Sequence, residues 1–251
     1  MLFRSRYEPR PDASPQPVAG ALLEANLTDL GNSDRLVELH GKRLRYCQAH
    51  GWLAFTGQRW ERGADAHAEQ AAADTVRRLY KAAADIEDTD RRCKLIGFAL
   101  GCESRRRIVD MTLLARSHPA VVVDAGAIDA DRWLLNVENG TLDLRTGRMR
   151  PHDPADLITK LAAVTYDPAA PEPTRFLAFI DRIMGGDPDL IGFVQRAIGY
   201  SLTGDVSERV LFILHGTGCN GKSTLLGVVR DLLGDYATST PTRSEEHTSE
   251  L

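Results

Sequence analysis

The stretch from Val210 to Leu233, VLFILHGTGCNGKSTLLGVVRDLL, decides the fold class of the C-terminal part of the chain. Val210 to Leu214 is a short continuous apolar run, the pattern of a strand buried on both faces of a parallel sheet. Gly216-Thr217-Gly218-Cys219-Asn220-Gly221-Lys222-Ser223-Thr224 then matches G-x-x-x-x-G-K-[ST], and Leu225 to Leu233 reads as an amphipathic helix. Strand, glycine-rich loop and helix in that order open an α/β nucleotide-binding domain of the P-loop NTPase kind.

The residue types fit phosphate chemistry. Glycines let successive backbone N–H groups turn inward around an anion where side chains would obstruct it. The N-terminus of the following helix adds partial positive charge. Lys222, the one catalytic candidate, supplies a point charge for the β- and γ-phosphates of ATP, and the Ser223 hydroxyl is the expected Mg²⁺ ligand. Asn220 and Thr224 complete the cofactor-binding set of Gly216 to Thr224. A glycine-rich turn that binds nothing would account for the glycines but not for a Lys-Ser pair at the helix start. The loop by itself does not choose among kinases, GTPases, transporters and helicases.

Upstream, residues 22 to 204 read as an α+β domain, mostly helical with small β-hairpins. The spacing of Leu36, Leu39, His40, Arg43, Leu44 and Cys47 predicts a helix over 33 to 48, with Asn32 or Ser33 as its N-cap. WLAFTGQRW, residues 52 to 60, predicts a hairpin turning at Thr56-Gly57, with its tryptophans in a core. Residues 68 to 117 are rich in Ala, Leu and Arg and are broken near Asp88 and Ser104, which implies about three helices. WLLNVENGTLDLRTGRM alternates on either side of Asn139-Gly140, a second hairpin with those residues in the tight turn. Two more helices are expected at 174 to 184 and 188 to 202, separated by Gly185-Gly186.

At the ends the reading changes. Residues 1 to 21 are rich in Pro, Arg and Ala and lack periodicity, so a disordered arm is expected. The last nine residues, RSEEHTSEL from Arg243 to Leu251, match one frame of a common sequencing-library adapter and read as a non-native tail. This leaves 205 to 242 as a truncated motor segment.

The formal net charge is −4, or −2 once the one Arg and three Glu of that tail are set aside, so bulk charge does not point to nucleic acid. The densest basic grouping is Arg91, Arg92 and Lys94 with Arg105, Arg106 and Arg107, where solvated helix faces compete with DNA phosphates as the explanation. Cys47, Cys93, Cys102 and Cys219 show neither a disulfide framework nor zinc spacing, and read as buried reduced thiols. His118, His152 and His215 sit at segment ends as packing or capping residues, and Asp205 and Glu208 read as linker charges. There is no secretory signal and no apolar run of about 18 residues, so the expectation is a soluble cytoplasmic chain with no membrane partner.

Three segments carry a resemblance: LLNVENGTLDLRTGRMRPHDPADLITK, then VTYDPAAPEPTRFLAFIDRIMGGDPDLIGFVQRAIGYSLTGD, then LFILHGTGCNGKSTLL. Their order resembles the phage and plasmid primase-helicase family, in which a poxvirus-type N-terminal domain precedes a superfamily 3 helicase motor. The resemblance implies an AAA+-like motor fold, ATP and Mg²⁺ as cofactors, single-stranded DNA as partner, a homo-oligomeric ring and a primase or other replication partner. The acidic strand end, polar sensor and trans-acting arginine of such a motor would lie downstream of the loop. Two other classes stay open: a non-enzymatic module binding DNA or a replication partner, and a P-loop kinase, against which the loop's position far from the N-terminus counts.

Overall fold

A computed structural model describes residues 22 to 216, 218 and 220 to 240. The expected N-terminal arm and adapter-derived tail, and the loop positions Thr217 and Cys219, lie outside the described residues. The fold is mixed α and β. Its helices are α1 (Asp29–His40), α2 (Asp65–Ala84), α3 (Thr89–Cys102), α4 (Arg105–Ala115), α5 (Thr174–Ile183), α6 (Pro188–Leu202) and α7 (Lys222–Leu233). Strands β1 (Leu44–Cys47), β2 (Gly51–Phe55) and β3 (Trp60–Arg62) form one three-stranded sheet. Strands β4 (Leu134–Val137), β5 (Gly140–Asp143) and β6 (Arg148–Arg150) form another. The described residues divide into two compact units, 22 to 47 with Ala64–Val122, and Gln48–Gly63 with 123 to 240.

In the first unit, α2 buries Ala68, Ala72, Thr75, Val76, Leu79 and Ala83, a stripe at the 3.6-residue period. Leu79 and Ala83 meet Leu95 and Ala99 of α3 and Leu22, closing an apolar core. The expected breaks are helix starts. The Asp88 carboxylate accepts from the amides of Asp90 (2.9 Å) and Arg91 (3.0 Å), and the Ser104 hydroxyl accepts from that of Arg107 (3.5 Å).

The helix expected over 33 to 48 differs in both bounds. It begins at Asp29, where the Thr28 hydroxyl accepts from the Gly31 amide at 3.1 Å, and it ends at His40. Asn32 and Ser33, the expected caps, are buried inside it. Asn32 turns its amide to the Cys102 sulfur (3.1 Å), and its oxygen accepts from the buried Arg35 guanidinium (3.2 Å). Arg35 also donates to the carbonyls of Leu22 (2.7 Å), Asn26 (2.9 Å) and Ala25, so one cation gathers the preceding turn. Leu44 to Cys47 leaves the helix for a strand, with Tyr46 N–H donating to Val121 O at 2.9 Å.

The second unit contains the two expected hairpins. β2 pairs antiparallel with β3 in the register Phe55↔Trp60, around Gly57 at φ +102°, and both Trp52 and Trp60 are buried. β4 pairs with β5 in the register Val137↔Gly140, which puts Glu138-Asn139, not Asn139-Gly140, in the two-residue turn. Gly140 opens β5 as the partner of Val137, and the position needs glycine because a Cβ there would stand 2.5 Å from the Arg150 carbonyl oxygen of β6. Helices α5 and α6 match the two expected elements, joined across Gly185 and Gly186, both left-handed. The strand expected at Val210 to Leu214 is not formed: no described residue pairs with it, and Leu211 and Ile213 are 83% and 80% exposed. An apolar run becomes a buried parallel strand only with a neighbour on each edge.

Of the cysteines, Cys47 and Cys102 are buried as expected, whereas Cys93 is exposed on α3. No helix among the described residues is long and apolar enough to cross a membrane.

Candidate functional site

The glycine-rich loop enters α7 as the sequence requires. Gly216 (φ +150°) and Gly221 (φ +85°) both take positive backbone angles, and Gly221 is the left-handed N-cap of a helix whose first residue is Lys222. A Cβ at Gly221 would come within 2.7 Å of Ile183 Cγ2 and 3.3 Å of the Phe179 ring, so only glycine lets the loop lie against α5. No side chain caps α7, so its leading N–H groups are left to an outside acceptor. Ser223 and Thr224 are exposed beside them.

Lys222 folds back over the loop, its Nζ donating to Gly216 O (2.9 Å) and to Asn220 Oδ1 (2.6 Å). Asn220 fills the space a Gly216 side chain would need, its Nδ2 lying 2.3 Å from that ideal Cβ position. The structure thus brings together Gly216, Asn220, Gly221, Lys222, Ser223 and Thr224. Gly218 is exposed, and Thr217 and Cys219 fall outside the described residues. An uncapped helix start with a lysine and a hydroxyl at its first two positions fits a nucleotide phosphate with its Mg²⁺. Lys222 and the backbone N–H groups would hold the phosphate, and Ser223 would hold the metal, which supplies Lewis-acid charge when bound. Among the described residues no group of three His, Cys, Asp or Glu is placed to hold a metal ion by itself.

An open, mostly apolar cleft of about 500 Å³ adjoins the loop, lined by α6, residues 211 to 215 and α7. Phe193 and Phe212 meet edge to face there at 6.1 Å. His215 is exposed at its rim.

Other sequence candidates have structural roles. Asp205 accepts from the Ser207 hydroxyl (2.8 Å) and amide (3.1 Å), which holds its carboxyl below the usual range, and Arg132 lies 3.8 Å away. His118 Nδ1 accepts from Ala120 N–H at 3.2 Å. His152 Nδ1 stands 2.9 Å from Asn136 Oδ1, within a buried polar network that Thr141 joins at 3.3 Å. In the basic grouping, Arg106 pairs with Asp110 (3.6 Å) and Arg107 with Asp29 (3.5 Å). Arg92 donates to the Ile86 carbonyl (3.3 Å), while Arg91, Lys94 and Arg105 are exposed.

Sequence reading missed the far end of α7. At Gly234 (φ +53°) the chain turns so closely that a Cβ would meet Leu161 O at 2.8 Å. Asp235 and Leu161 exchange hydrogen bonds, amide to carbonyl at 3.1 Å and amide to carboxylate at 3.1 Å. Arg59 also pairs with the Asp235 carboxylate. The Tyr236 hydroxyl accepts from Asn136 N–H at 3.0 Å, and burial pushes its pKa up to about 12.

A family model described as D5 N terminal like matches residues 33–185, more than half of the chain and ending before the glycine-rich loop. A protein of Acanthamoeba polyphaga mimivirus described as a "putative helicase" is 29% identical over 111 residues. That alignment covers 43% of this chain and 12% of the mimivirus protein, so the chain spans a small part of that relative's length.

Proposed function

From the premise that the chain belongs to the D5 N terminal-like family, related to primases and helicases of replication, we propose that it is part of an ATP-dependent DNA helicase of phage or plasmid replication. The observation that carries the reading is Lys222 at the first position of an uncapped helix, entered from a left-handed glycine, twenty residues past the end of α6. In this reading Gly216 to Thr224 wraps the phosphates of ATP. Lys222 exchanges the Gly216 and Asn220 oxygens for β- and γ-phosphate oxygens, and Ser223 ligates Mg²⁺. The motor segment, residues 205 to 242, then works as one protomer of a ring on single-stranded DNA, beside a primase or other replication partner.

Calorimetric titration of the full chain with ATP and Mg²⁺ tests the assignment. Lys222→Ala should weaken binding on the order of 100-fold, about 2.7 kcal/mol, by removing a charge-assisted contact, with far-UV circular dichroism unchanged. Equal affinity in the variant and the parent rejects it.

The family match ends at residue 185, short of the loop, and this favours one alternative: a non-enzymatic module that binds DNA or a replication partner through residues 30 to 200. Single-stranded DNA binding that persists after deletion of residues 205 to 251 would support that alternative.

A further inference from the structure

Helix α7 has a second anchored end. Its 12 residues span about 18 Å, with Lys222 and the glycine loop at one terminus and the Gly234-Asp235-Tyr236 turn at the other. That turn is fixed by more than packing. Asp235 is bonded twice to Leu161 and paired with Arg59, and Tyr236 accepts the Asn136 N–H from within β4. The Tyr236 ring packs on the core of Leu135, Val137, Leu142 and Ala162, with Lys160 Nζ 5.6 Å from its centroid. Gly234 allows the close approach that no side chain would permit.

The two ends of α7 therefore share one rigid element, and between them only Leu225 and Leu233 are buried. The helix is held mainly at its termini, so a displacement at one end would be carried along it to the other. We propose that Arg59, Asp235 and Tyr236 are positioning residues for the phosphate loop, acting through α7, and that nucleotide at Lys222 is felt at the β4–β5–β6 sheet. This inference rests on the nucleotide reading above. It adds to it a route by which the loop and the hairpin region exchange information, and linkage requires that exchange to be reciprocal.

The experiment uses the full chain, with ATP and Mg²⁺ as the probe and two readouts, calorimetric affinity and amide hydrogen exchange. Saturating ATP should slow exchange at the Asn136, Leu161 and Asp235 amides roughly 5-fold. Arg59→Ala and Tyr236→Phe, both far from the loop, should weaken ATP binding by a similar factor at a temperature where circular dichroism shows each variant folded. A purely structural role would lower the melting temperature and leave affinity unchanged, which overturns the inference. ATP binding that depends on Lys222 but leaves the three amides unaltered also overturns it while the nucleotide reading stands. Absence of ATP binding in the parent chain removes both.

Discussion

Helices α2 and α6 are both regular and apolar enough to pack, yet they end up in opposite circumstances. α2 buries six residues along one stripe, whereas α6 buries none, and the apolar run that follows it leaves Leu211 and Ile213 in the open. The partners of α2 are its sequence neighbours α1, α3 and α4, so the helical core closes locally. A parallel strand with its flanking helices draws its neighbours from distant sequence, and none of the described residues supplies them to Val210–Leu214. Stability and candidate chemistry are thus placed apart: the first unit is stabilised by what it already buries, and the loop region has apolar surface still to cover.

The largest test of that contrast is Leu79→Ala, which opens a cavity in the α2–α3 core. It should cost about 2–5 kcal/mol in denaturant unfolding. A cost below about 1 kcal/mol would mean that this core is no better packed than the loop region. Ser104→Ala removes the cap of α4 and should cost about 1 kcal/mol.

A gentler handle on the same unit is pH. His40 lies 3.4 Å from Asp74, not aligned as a hydrogen bond, and burial outweighs that carboxylate, so its pKa is held below the ordinary 6.5. Between the lowered folded value and 6.5 the unfolded chain binds the extra proton. Stability is therefore full above about pH 6.5 and declines as pH falls through that window. His40→Gln should flatten this part of the stability profile, and an unchanged slope would assign it to other groups.

The smallest effect is expected at Leu211→Ser, within about 0.5 kcal/mol, because the side chain already faces water. A larger loss would show that the run is covered in solution.

Legibility from sequence follows the same divide. Asp88, Ser104 and Gly185-Gly186 announced their breaks because capping and left-handed angles are decided within a few residues. The start of α1 was misplaced because Thr28 caps it while Arg35 reaches back to Leu22, Ala25 and Asn26, a tertiary use of a residue that reads as surface. Leu44 and Cys47 kept helical spacing, but Tyr46 takes its partner from Val121 and the strand prevails. At the candidate site, Gly216 to Thr224 was readable as a contiguous pattern. Asp235 and Tyr236 were not, since their partners lie 74 to 176 residues away in the chain.

All three tryptophans, Trp52, Trp60 and Trp133, fall in the second unit, two of them buried in its hairpin and the third stacked under the Arg145 guanidinium. Tryptophan emission, excited beyond the tyrosine absorption band, therefore reports the second unit alone, whereas the far-ultraviolet peptide signal reports both. A single thermal scan followed by both signals separates the units without any label. Coincident curves would mean one cooperative block, and displaced curves would give the order in which the two halves let go.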